Sequence, residues 1–200
     1  MNVARVQSAF HASRSGLRRA GFTLIEVLVA IAMVAVLAAI AIPRIDVDGY
    51  KVQSAVRAVT TTLTYSQRLA VTLQHDVWVA FDSTNSRLRI HEDVNNNGTI
   101  DPGERVTYTP LDTGVIFGRG AAPAYTIGAQ AFNFTRTQNG MPAVIFRRDG
   151  SASENGGFYL NTKKAVGLGQ THRARAGEII RSSGRITWYS YSSGAWVRGD

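Results

Sequence analysis

The chain has 200 residues, with 22 Lys and Arg against 14 Asp and Glu, a formal charge of +8 at pH 7 and no cysteine. That length holds one ordinary domain with a core of its own. The lack of cysteine excludes disulfides, a cysteine nucleophile and a thiolate metal site, so stability has to come from packing.

The first segment is basic: Arg5, Arg14, Arg18 and Arg19 stand in it without an acid, and loss of residues 1–21 would leave a charge of +4. From Phe22 to Ile42 only Glu26 is charged. At about 1.5 Å per residue this run predicts a helix of roughly 30 Å, enough to cross the hydrocarbon layer. Arginines on its N-terminal side alone predict a cytoplasmic N-terminus, a membrane span and an extracytoplasmic remainder. A secretory signal would place small residues after the apolar core; here Gly21 precedes it, so a cut after Gly21 would remove residues 1–21 and keep the span.

Gly21-Phe22-Thr23-Leu24-Ile25-Glu26, behind a basic leader and ahead of an apolar helix, resembles the processing site of type IV prepilins and type II secretion pseudopilins. The resemblance implies that a membrane aspartyl peptidase cuts after Gly21 and methylates the new N-terminus at Phe22. A carboxylate inside an apolar span is costly without a partner. The resemblance supplies one for Glu26, the N-terminal amine of a neighbouring subunit during assembly; read by itself, Glu26 also stands close enough to the interface to snorkel.

Pro43 to Gly49 predict a bend or loosening of the helix, because proline removes a backbone donor and glycine weakens helical order. A helix over about 50–74 follows, with Val52, Val56, Val59, Leu63, Ser66, Ala70 and Leu73 at steps of four and three. Lys51, Gln53, Arg57, Thr61 and Arg68 fall on its other face. The small and polar members of the stripe favour packing on the chain's own sheet over a coiled-coil seam.

From Asp76 the pattern turns to short β-branched and aromatic runs between turns. Strands are expected at 77–81, 87–91, 106–109, 115–118, 131–134, 144–147, 158–160, 178–181, 185–191 and 195–197. The fold class is therefore α+β, an N-terminal helix packed on antiparallel sheet, with residues 43–200 as one periplasmic domain. Asp149-Gly150 is a tight hairpin signal, and Gly184-Arg185 can turn the chain into a last pair of strands. Residues 143–152, then Gly156 to Leu160, and finally Glu178 to Ile180 with Ser183 to Ile186, look like the signature of the GspH/FimT group of minor pseudopilins and pilins. That resemblance implies the pilin-like arrangement, a long helix whose first half spans the membrane.

Asp93, Asn95, Asn97, Thr99, Asp101 and Glu104 fit a calcium-loop pattern, with oxygens at alternate positions and Gly98 at the sharp turn. The flanking strands make it a hairpin loop, and a solvated Asn/Gly turn is the alternative. From Asn161 onward there are seven Lys and Arg against Glu178 and Asp200, interleaved with Trp188, Tyr189, Tyr191 and Trp196. Arg173, Arg175, Arg181 and Arg185 are therefore candidate DNA contacts, although such rings more often alternate into a core. DNA-binding FimT-like members carry a Gly-Arg-any-Arg motif; the matching Gly184-Arg185-Ile186-Thr187 lacks the second arginine.

His75, His91 and His172 have no metal-ligand spacing, and no nucleophile, base and orienting residue stand together, so an enzyme is not expected. The reading is a non-enzymatic minor pseudopilin, similar to GspH, in a type II secretion filament, with a FimT- or FimU-like minor pilin as the alternative. Its expected partners are other pseudopilins or pilins, the prepilin peptidase and methyltransferase, and the inner membrane.

Overall fold

The computed structural model describes residues 21–41 and 47–199. The chain divides into two compact units, residues 1–45 and 46–200. In the first, helix α1 runs Leu24–Ala41. Its apolar side chains surround the axis, and the larger ones from Phe22 to Leu37 are between 47% and 81% exposed. A helix that is apolar all round needs a cover of lipid or protein. Among the described residues no helix is long and apolar enough to cross a membrane. With 18 residues, α1 extends for about 27 Å, and Ile42, with which the expected span closes, lies outside the described residues. So do residues 1–20 of the expected leader and Pro43 of the expected bend.

The second unit opens with α2 (Val47–Leu73), then β1 (Asp76–Asp82), β2 (Arg87–Asp93), β3 (Val106–Pro110), β4 (Val115–Phe117), β5 (Thr137–Gln138), β6 (Met141–Phe146) and β7 (Gly156–Thr162). A short helix α3 (Lys163–Gly167) precedes β8 (Arg175–Ile179), β9 (Ile186–Ser192) and β10 (Ala195–Arg198). Two five-stranded antiparallel sheets result, in the orders β3-β2-β1-β6-β5 and β10-β9-β8-β7-β4. Both pack on α2.

The stripe on α2 is the reason. Val52, Val56, Val59, Leu63, Ser66 and Ala70 are buried, together with Gly49 and Ala55. They meet Val77, Val79 and Phe81 of β1, Leu88 and Ile90 of β2, Val144 and Phe146 of β6, Phe158 and Leu160 of β7 and Ile179 of β8 in one core. Each fully buried Val, Leu or Phe contributes about 1.5–3 kcal/mol. The Phe81 ring is its centre, with the rings of Phe117, Phe132, Phe134 and Phe158 at 5.7, 5.2, 5.0 and 5.5 Å.

Four expectations are corrected. Helix α2 begins at Val47, with Gly49 inside it and buried; Asp48 sits in the first turn, where the helix dipole favours a carboxylate, and pairs with Lys164 at 2.9 Å. Leu73, in the last turn, is 42% exposed. Residues 131–134 form a single bridge, Phe132 to Phe158: Phe132 and Phe134 do alternate into the core, but the Asn133 side chain accepts the Gly157 N–H at 2.6 Å and takes a place the backbone ladder would fill. The strand expected at 178–181 is Arg175–Ile179, because the Ile180 N–H donates to Arg185 C=O and closes the turn there.

The two sheets are also tied together by a side chain of α2. Gln67 Nε2 donates to Gly150 C=O at 2.6 Å and to Ser183 C=O at 2.7 Å, and Ala152 N–H donates to Arg181 C=O at 2.8 Å. The β6–β7 turn and the β8–β9 turn therefore lie side by side over the helix. Gly184 has φ +59°, and a Cβ there would strike Gly150 C=O and the Gln67 amide. Gly184→Ala is expected to cost about 1–3 kcal/mol, read as a lower thermal midpoint of the 46–200 unit. An unchanged midpoint would contradict the close fit of the two turns.

Candidate functional site

At the N-terminal motif, residues 21–23 precede the first turn of α1. Glu26 N–H donates to Thr23 Oγ1 at 3.2 Å, and Thr23 N–H donates to Glu26 Oε2 at 3.4 Å. This reciprocal capping box satisfies two of the donors that a helix start leaves without intrahelical partners. Glu26 thus has a partner within its own chain. Phe22 is 81% exposed, and a Cβ on Gly21 would meet nothing within 4 Å. Among the described residues, no packing calls for glycine at that position.

The six candidate calcium ligands all lie in the β2–β3 hairpin, and they separate into two groups. Asn95 and Asn97 Nδ2 meet Asp101 Oδ2 at 2.8 and 2.7 Å, and Thr99 N–H donates to Asn97 Oδ1 at 2.7 Å. Hydrogen bonds from Asn95 and Asn97 hold the Asp101 carboxyl below its ordinary range. Asp93 turns instead to Trp78 Nε1, Asn97 N–H and Gly98 N–H at 3.0, 3.0 and 2.8 Å. Glu104 accepts from Val94 N–H and Asp101 N–H at 3.0 and 2.9 Å and meets His91 Nε2 at 2.7 Å. Among the described residues no group of three His, Cys, Asp or Glu is placed to hold a metal ion. In this arrangement the loop's side-chain oxygens accept hydrogen bonds from its own donors.

Beneath that loop lies a buried polar chain that spacing did not reveal. Arg89, His91 and Asp93 point away from the Leu88 and Ile90 side of β2, because successive strand residues alternate, and all three are buried. Gln138 Nε2 lies 2.9 Å from His91 Nδ1, and Arg89 Nη2 donates to Gln138 Oε1 at 3.0 Å. Arg89 fixes the amide so that its NH₂ faces His91. Nδ1 then accepts, and Nε2–H donates to Glu104. The only sequence signal was a histidine and an arginine at alternate positions of a strand that already had an apolar face.

The candidate DNA contacts are not gathered into one surface. Arg173 and Arg175 stand at the start of β8; Arg175 donates to Gln53 Oε1 at 3.2 Å and to His172 and Ala174 carbonyls. Arg181 and Arg185 are exposed in the β8–β9 turn, about 20 Å along the extended chain from Arg175. The aromatic residues around them alternate. Trp188 packs on the main core, whereas Tyr189 and Trp196 join Tyr125, Ile127 and Tyr159 on the opposite side, with the Tyr191 ring 5.4 Å from Trp196.

The Glu104 carboxyl, its side chain 6% exposed, is held down from its ordinary 4.5 to about 2, first by the Asp101 N–H and next by His91. A depressed folded-state value means that its contribution is present above about pH 4.5 and lost as the pH falls toward 2. Glu104→Gln is expected to lower the thermal midpoint at neutral pH and to flatten the acid limb. A variant with the unaltered acid profile would contradict the role of this carboxylate.

Two family models match the chain. The prokaryotic N-terminal methylation motif covers residues 16–42, and type II transport protein GspH covers residues 55–184. No curated protein matches. Among solved structures the chain is similar to the minor pseudopilin EpsH from the type 2 secretion system of Vibrio cholerae, at 12% identity and a TM-score of 0.46, over 72% of this chain and 99% of that one. With a family match over most of its folded domain and the methylation motif ahead of it, the chain belongs to the GspH family of type II transport proteins.

Proposed function

We propose that the protein is a minor subunit of a type II secretion pseudopilus, cut after Gly21, N-methylated on Phe22, anchored in the inner membrane by its apolar helix and carrying a periplasmic head. The GspH match over residues 55–184 carries this reading, and the methylation motif at residues 16–42 supports the processing step. The role is mechanical and not enzymatic. An all-round apolar helix packs among the helices of other subunits or in lipid, and the two-sheet head supplies contacts outside the membrane.

Glu26 sets the register in this proposal. Among the described residues its carboxylate is held by the exposed Thr23 N–H at 3.4 Å, a long bond that a neighbouring subunit's ammonium would outcompete, because charge-assisted bonds are shorter and stronger. Thr23 Oγ1 keeps the Glu26 N–H capped during the exchange. Once the residues before Phe22 are removed, the new amine is the matching cation.

Two substitutions separate processing from assembly. Gly21→Ala is expected to leave a full-length precursor in cells that contain the peptidase; a product shortened by the leader would sink the proposed cut. Glu26→Ala is expected to insert in the membrane and be processed, yet to be recovered at least tenfold less in sheared filament fractions. Wild-type recovery in those fractions would refute the pairing.

A further inference from the structure

The two turns clasped by Gln67 do more than close the fold. They bring together arginines from three separate stretches: Arg68 of α2, Arg147 and Arg148 beside the β6–β7 turn, and Arg181 and Arg185 in the β8–β9 turn. Arg147 is half-buried and the other four are exposed. Among the described residues none of the five is in an ion pair. Two acids share the neighbourhood. Asp149 is engaged by Ser151, whose N–H and O–H donate to it at 2.9 and 2.6 Å, and Asp76 lies within electrostatic reach of Arg147 and Arg148.

This surface is rigid where an ordinary pair of turns would be loose. The Gln67 amide holds both turns by their carbonyls, Arg181 C=O accepts from Ala152, Arg181 N–H donates to Asn155 Oδ1 at 2.8 Å, and Gly184 leaves no space between them. Fixing charged groups before a partner arrives lowers the ordering cost of binding. Beside Arg68 an open groove of about 470 Å³, with Thr60, Thr61 and Thr64 on the helix side, also presents Tyr65, Ile186 and Trp188, against which one apolar side chain can lie.

From this we infer that the pole carrying the two clasped turns is a docking surface for an acidic segment of another protein, with an apolar side chain seated between Tyr65 and Trp188. Excess arginine selects an anionic partner. Asp149 and Asp76 within the patch favour a polypeptide over a nucleic acid, whose regularly spaced phosphates would meet both carboxylates. The inference rests on the pole's geometry and stands whether or not the chain enters a filament.

The test uses the full mature chain in detergent micelles and the anisotropy of two labelled probes, a glutamate-rich peptide with one central phenylalanine and a single-stranded oligonucleotide. The peptide is expected to bind in a salt-sensitive manner. Arg181→Glu with Arg185→Glu should weaken it about tenfold or more, and the milder Arg181→Gln with Arg185→Gln severalfold. Gln67→Ala keeps every arginine and should still weaken it about threefold through loss of the clasp. Arg57→Glu, about 16 Å back along α2, should change it less than either arginine pair. Thermal melts confirm that each variant is folded. No peptide binding, equal binding by the arginine variants, indifference to Gln67→Ala or tighter binding of the oligonucleotide would each overturn the inference.

Discussion

Helix α2 has to satisfy two sheets at once, and that constraint shapes the 46–200 unit. A single stripe from Gly49 to Ala70 faces strands of both five-stranded layers, so neither sheet has a complete apolar cover without the helix. The small residues in the stripe follow from this. Ala55, Ser66 and Ala70 let strands approach the helix axis, while Val52, Val56, Val59 and Leu63 fill the space around the Phe81 rings. Where the stripe ends, polar chemistry takes over: Asp48 reaches α3, Gln53 reaches β8 and Gln67 reaches two turns.

Helix α1 poses the opposite problem. It has no polar face, and its larger described apolar side chains, from Phe22 to Leu37, are exposed within its own unit. At its start Thr23 and Glu26 satisfy each other's polar groups. One chain thus contains a helix covered by two sheets and another that is apolar all round. Membership of the GspH family fits that asymmetry: the methylation motif and the apolar helix stand ahead of a compact two-sheet unit.

Long periodic features were legible before the structure. The α2 stripe repeats every three to four residues, the β1–β2 and β9–β10 hairpins alternate every two, and Asp149-Gly150 marks its turn. Features fixed by a few residues were not. Helix α3 and strand β5 are too short for any period to declare itself. Residues 131–134 alternate like a strand because Phe132 and Phe134 do enter the core, yet the Asn133 side chain takes the Gly157 N–H and the ladder stops at one bridge. Gln67 binds carbonyls 83 and 116 residues away, a relation that no local pattern encodes. The acidic loop shows the limit most plainly. Its spacing placed six oxygen-bearing residues in one hairpin, but the destination of Glu104 depended on His91 buried beneath it, and that of Asp93 on Trp78 across the sheet.

The central claim is that this chain acts as a processed, membrane-anchored subunit of the GspH kind. The measurement that bears on it most directly is intact-mass and N-terminal fragment spectrometry of the protein taken from the membranes of its native cells. The account predicts a chain that begins at Phe22 and carries one N-methyl group. A chain that retains residues 1–21, or one that starts beyond Phe22, would contradict it.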